Sequence, residues 1–206
     1  DWSSDVCSSD LIGTHIFPWD IDEYVKIARK FFPQAIISVV TNGLLIPNAS
    51  DKILDTIRDQ KVIVDISEYP PTTKAKDKIV KKLQSRNTPF IFNRQVNSFY
   101  ASIRDGDGVS DIGKSYPVCI SNICYFLRRG KMYKCSFDAT VYRYKEKFPK
   151  RYVPESSGVD LYAKNFLEMF QHIVSNPIQM CEICPERLTS FPWKVESKPH
   201  ADDWSR

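Results

Sequence analysis

From Ile21 onward, the apolar positions alternate between two rhythms. Ile21, Tyr24, Val25, Ala28, Phe31 and Phe32 recur at helical spacing, with Asp20 as N-cap and Pro33 as the stop. Residues 35–41 are a β-branched run of the kind found in a strand buried on both faces, and Asn42-Gly43 turns the chain after it. Ser50 caps a second helix to about Asp59 with Ile53, Leu54 and Ile57 inward. Residues 62–67 form the next strand, Pro70-Pro71 forces a loop, residues 74–86 form a helix with Ile79, Val80 and Leu83 on one face, and 90–92 is a third strand. Helix and strand therefore alternate over 20–93 with short connections. That order predicts right-handed βαβ units and a parallel sheet.

The second half loses this rhythm. Residues 94–118 are polar and rich in Gly and Asp, as in a linker or an active-site loop. Apolar residues then flank Arg128-Arg129-Gly130-Lys131, which predicts a β-hairpin between Cys124 and Cys135. A short helix follows over 139–148, then a loop to Gly158. A longer helix over 161–174 places Phe166, Met169, Phe170 and Ile173 on one face. Asn176-Pro177 ends it just before Cys181-Glu182-Ile183-Cys184, and a Pro-containing charged tail follows.

Composition changes this picture little. With 42% hydrophobic and 26% charged residues the chain has ordinary globular content, and no apolar run approaches the roughly 18 residues of a membrane span. The net charge of +4 is spread over helix faces (Lys74, Lys76, Lys78, Lys81 and Lys82), which argues against a nucleic-acid stripe. No basic stretch followed by an apolar core marks a secretory signal, so a cytoplasmic, reducing location is expected. Asp105, Asp107 and Asp111 lack the spacing and terminal Glu of a calcium loop. His15, His172 and His200 share no ligand spacing.

The six cysteines carry the chemistry. Reduced, clustered thiols point to metal or catalysis rather than to a disulfide framework. Cys124 and Cys135 at the base of a hairpin can converge with Cys181 and Cys184 on one thiophilic centre. Cys119 is a fifth candidate, able to replace Cys124, whereas Cys7 reads as a small buried hydrophobe. Spacing alone does not separate a 4Fe-4S cluster from structural zinc. In the parallel segment, strand C-terminal ends are where ligands are bound, which singles out Thr41, Asn42 and Gly43, then Ser67, Glu68 and Tyr69, then Asn93, Arg94 and Gln95. For Asn42-Gly43 ordinary turn chemistry is the competing explanation.

These pieces together resemble the radical S-adenosylmethionine (radical SAM) enzymes. Val39-Val-Thr-Asn-Gly-Leu-Leu45 resembles the family's fourth-strand segment, and Val64-Asp-Ile-Ser-Glu-Tyr-Pro70 the strand after it. Cys124 to Gly130 to Cys135, followed by Cys181-x-x-Cys184, resembles its accessory twitch (SPASM-like) domain. The resemblance implies part of a parallel (β/α) barrel over 12–95, a linker over 96–118, a small Cys-rich α+β hairpin domain over 119–190 and a tail over 191–206. It implies that Ser38, Thr41, Asn42, Gly43, Ser67 and Glu68 lie near SAM, and that the cysteines hold an auxiliary 4Fe-4S cluster. It further implies a small-molecule or peptide substrate and a reductant protein of flavodoxin or ferredoxin type. The rival expectation is a non-enzymatic zinc-stapled α/β binding module.

Two family features are missing. The Cys-x-x-x-Cys-x-x-Cys that holds the SAM-cleaving cluster does not occur, and Gly13 to Pro18 does not match the Gly-Gly-Glu segment. Asp1 to Leu11 resembles translated sequencing adapter and is set aside. The expectation is a C-terminal fragment of such an enzyme, unable by itself to cleave SAM.

Overall fold

The computed structural model describes residues 21–101, 103–104 and 109–194. Asp1 to Leu11 with Cys7, the Gly13 to Pro18 stretch, His15, Asp20, Asp105, Asp107, His200 and the tail beyond 194 lie outside them. The chain divides into two compact units between Asn97 and Ser98.

The first unit runs α1 (Ile21–Phe31), β1 (Ser38–Thr41), α2 (Asp51–Asp59), β2 (Ile63–Glu68), α3 (Pro70–Ser85) and β3 (Phe90–Gln95). The strands form a parallel sheet in the order β1-β2-β3, with Ser38 opposite Ile63 and Val64 opposite Phe90. The sheet is not closed into a barrel. Its helices pack on one face. Val64 and Ile66 of β2, with Val62 just before it, are fully buried with Ile53, Leu54 and Ile57 of α2 and Ile79 and Leu83 of α3. Val39, Phe90 and Phe92 pack against the same core. All four residues of β1 are half-buried, Ala35 and Ile36 before it are exposed, and Ile37 and Val39 pack against the helix-covered core, so the β-branched run over 35–41 is not buried on both faces.

Local chemistry explains the boundaries. Ser50 accepts from the Ile53 amide at 3.4 Å, as an N-cap should. Pro70-Pro71 does not force a loop but opens α3, because proline in the first turn removes an amide that has no helical partner. Asp22, buried at the start of α1, takes Lys52 of α2 at 2.8 Å, and that contact holds its carboxyl below the usual range. Arg86 and Arg58 likewise bracket Asp55. On the face away from the helices, Asp65 accepts from Asn93 at 3.0 Å.

The second unit comprises β4 (Ser98–Tyr100), α4 (Ile112–Ser115), β5 (Phe126–Arg128), β6 (Lys131–Tyr133), α5 (Ser136–Lys147), β7 (Val159–Asp160), α6 (Phe166–Ser175) and β8 (Ser190–Pro192). β5 and β6 form the expected hairpin. Arg128 faces Lys131, and Arg129 and Gly130 both have positive φ (49° and 72°), as a two-residue primed turn demands. β7 adds to β6, and β4 pairs with β8, a contact the sequence pattern does not show. α5 begins at Ser136 rather than 139, with Cys135 as its N-cap. α6 begins later than expected, and none of its residues is buried. Its aromatic face instead stacks Phe166 on Phe170, with Tyr125 edge-on to Phe170. The core gathers Ile103, Val141, Tyr144, Val153, Ile178, Met180, Cys181 and Ile183.

Gly158 is required by close approach. A Cβ there would lie 2.3 Å from Cε1 of buried Tyr133. Gly158→Ala should therefore cost about 2–3 kcal/mol in urea unfolding of this unit, the scale of overpacking a core. A change under about 0.5 kcal/mol would show that the Tyr133 ring moves aside freely.

Candidate thiolate centre

The second unit brings four free thiols together: Cys119, Cys135, Cys181 and Cys184. Three local devices present them. Cys119 ends the turn after α4, its amide donating to the Tyr116 carbonyl at 3.2 Å, and its sulfur accepts from the Ser121 amide at 3.4 Å. Cys135 caps α5 and accepts a long contact from the Asp138 amide at 3.5 Å. Cys181 and Cys184 sit on a 3-10 turn over Gln179–Ile183, where the Cys184 thiol donates to the Met180 carbonyl at 3.6 Å. Cys124 differs in kind. It is buried and disulfide-bonded rather than a free thiol.

The polar stretch read as a linker clamps the Cys-x-x-Cys turn. All four carbonyls of residues 181–184 accept from it. Ser115 Oγ donates to Cys181 at 2.9 Å, Ser110 N to Glu182 at 2.6 Å, Arg104 N to Ile183 at 2.9 Å and Ser110 Oγ to Cys184 at 2.6 Å. Ser110 and Ser115 are themselves buried. No motif marks these two serines, because the contacts that define them span 74 and 66 residues of chain.

Electrostatics show that the thiols feel one another. Burial pushes the Cys135 thiol up to about 12, and the charges of Asp138 and Cys119 add to the rise. Burial raises Cys184 further, helped by Cys135, Cys181 and Cys119. Cys181 is also raised by burial and by Cys119, with the Lys134 ammonium opposing. Asp138 is buried and accepts from the Ser157 amide at 3.2 Å and its hydroxyl at 2.7 Å. Among the described residues no three His, Cys, Asp or Glu side chains are gathered tightly enough to ligate one ion. The donor set nevertheless has the chemistry that a thiophilic group needs: four free thiols, half-buried or buried, whose charges act on one another.

These shifts carry a pH dependence. In chelator-treated protein, Cys135 and Cys184 stay protonated when folded, whereas the unfolded thiols ionise near the ordinary cysteine value of 9.0. The stabilisation is complete below about pH 9 and is lost as pH rises toward the folded value. The slope is about 1.4 kcal/mol per pH unit for each protonated thiol. Urea midpoints should fall steadily from about pH 9 to about pH 10.5; a flat profile would contradict the burial of these sulfurs.

In the first unit, Thr41, Asn42, Gly43, Ser67 and Glu68 lie at the C-terminal end of the parallel sheet, whereas Ser38 starts β1 at the other end. The side chains of Thr41, Asn42 and Glu68 serve local structure. Thr41 Oγ1 accepts from the Gly43 amide and Asn42 Oδ1 from the Leu44 amide, both at 3.1 Å. Thr72 donates to the Asn42 carbonyl at 2.7 Å. Gly43 has φ of +77°, and a Cβ there would come within 3.2 Å of Ile66 and Ile79. Glu68 is held by Lys76 at 2.9 Å and Thr73 at 3.2 Å.

No protein-family model matches the chain, and no curated protein is similar to it. Among the described residues no helix is long and apolar enough to cross a membrane.

Proposed function

We propose that this chain is the later part of a radical SAM enzyme, with an auxiliary 4Fe-4S cluster held by Cys119, Cys135, Cys181 and Cys184. The gathering of those four free thiols in one unit carries the reading. Cys119 takes the place that sequence spacing gives first to Cys124, because it is a free thiol that acts on Cys135, Cys181 and Cys184 alike. The three parallel strands and the Thr41-Asn42-Gly43 turn at their C-terminal edge are consistent with part of a (β/α) barrel.

A bound cluster would store or relay an electron and tie the Cys-rich unit together. The chain's own residues would shape its surroundings. Ser110, Ser115 and the Arg104 amide hold the Cys-x-x-Cys turn in place. Asp138 and Lys134 set opposing charges beside the sulfurs. At the sheet edge, Thr41, Asn42, Ser67 and Glu68 would border SAM in the complete enzyme. Its substrate would be a small molecule or peptide, its electron source a flavodoxin- or ferredoxin-type protein, and its location cytoplasmic.

Anaerobic reconstitution with iron(II) and sulfide, beside a parallel incubation with zinc, tests this. The expected product is brown, with absorbance near about 400 nm and roughly equal iron and acid-labile sulfide. A colourless protein that takes one zinc and no sulfide would replace the enzyme reading with a zinc-stapled α/β binding module.

A further inference from the structure

Lys134 joins the end of β6 to Cys135, and its side chain is only 2% exposed. Its ammonium donates to three carbonyls at the end of α6: Ile173 at 2.9 Å, Val174 at 2.8 Å and Asn176 at 2.7 Å. Three carbonyls demand three protons, and only the charged form of lysine carries three. The Tyr116 hydroxyl lies at 3.3 Å and its ring centre at 4.8 Å. None of these four partners is a carboxylate. Helix carbonyls offer the partial negative charge of a C-terminus, which offsets part of a buried full charge but not all of it.

The placement of this residue gives it a second connection. On one side it is bonded to Cys135. On the other it grips residues 173–176, which lead through Pro177 and Ile178 into Cys181. One side chain thus ties together the two segments that bring three of the four thiols. We propose that Lys134 is the positioning residue of the four-thiol centre: it docks the end of α6 so that the Cys181 turn faces Cys135, and it leaves a buried positive charge beside sulfurs that become anionic when a thiophilic group is bound. This rests on the four-thiol reading above.

Two variants of the full chain, reconstituted anaerobically with iron(II) and sulfide, separate its parts. Lys134→Met removes both the dock and the charge. It should bind iron about 10- to 100-fold more weakly, the range seen when residues behind a ligand are lost. What does bind should have a more negative reduction potential, since a nearby cation that favours the reduced centre is gone. Lys134→Arg keeps the charge, but its planar fork cannot serve three carbonyls arranged around one nitrogen. It should load weakly yet keep the wild-type potential. A Lys134→Met protein that loads like wild type, or whose potential does not move, overturns the proposal. If that variant does not fold, full loading of Lys134→Arg overturns it. A wild-type chain that binds neither iron nor zinc overturns the four-thiol reading itself. That result is distinguishable from a loaded wild type with an indifferent Lys134→Met variant.

Discussion

Cys119→Ser should empty the thiolate centre of iron, and Cys124→Ser should leave it filled. Cys119 is a free thiol whose charge raises Cys135, Cys181 and Cys184 alike, which places it among them. Loss of a residue behind a metal ligand typically costs 10- to 100-fold in affinity; loss of a ligand should cost at least about 100-fold. Serine keeps the shape but has too high a pKa to supply an anion at neutral pH. Cys135→Ser, Cys181→Ser and Cys184→Ser should match Cys119→Ser. Iron per chain after desalting is the measurement. Full iron in Cys119→Ser together with loss in Cys124→Ser would restore the ligand order that hairpin spacing suggests.

The chain should make no 5′-deoxyadenosine from SAM under dithionite. Reductive cleavage in radical SAM enzymes needs an iron with an open position for the amino and carboxylate groups of SAM. Four cysteines around one cluster leave no such iron. The three-cysteine motif that would leave one is absent from the sequence. The polar groups at the sheet edge cannot substitute, since Thr41, Asn42 and Glu68 are committed to local hydrogen bonds and to Lys76. The expected difference is total: product at the level of a no-protein control for residues 12–206. Joining an upstream segment that carries Cys-x-x-x-Cys-x-x-Cys should restore product. Turnover by residues 12–206 alone would refute the reading of this chain as a fragment that cannot itself cleave SAM.

The first unit was legible in α2 and α3 because their apolar periodicity and their burial coincide, whereas along α1 and just after it the periodic Tyr24, Phe31 and Phe32 are exposed and Val25 is buried. Ile53, Leu54 and Ile57, and Ile79 with Leu83, lie on the helix faces that the spacing selects, and the three strands pair in parallel. Pro70-Pro71 misled because the same residue stops one helix and starts another, and only the position relative to the first turn distinguishes them. The run over 35–41 reads as doubly buried, but a β-branched strand looks the same when helices cover only one of its faces.

The second unit was legible in its covalent spacing and not in its partners. The Arg129-Gly130 turn is encoded locally, and so the hairpin is where the sequence puts it. The choice between Cys119 and Cys124 depends on how the turn after α4 folds back, which the four intervening residues do not reveal. Ser110 and Ser115 look like linker polarity until the Cys-x-x-Cys turn arrives from far along the chain. Lys134 is the clearest case. A lysine beside a strand reads as solvated, and its burial follows only from the carbonyls that the end of α6 brings to it.

The central claim is that Cys119, Cys135, Cys181 and Cys184 act as one centre. Differential alkylation mapped by mass spectrometry tests it most directly, on protein reconstituted with iron and sulfide and on the same protein after chelation. All four thiols should be protected together in the loaded protein, and all four should react once the iron is removed and the chain is unfolded in urea, since burial keeps Cys135 and Cys184 protonated in the folded chain. Alkylation of Cys119, or of either Cys181 or Cys184, in fully loaded protein would contradict it.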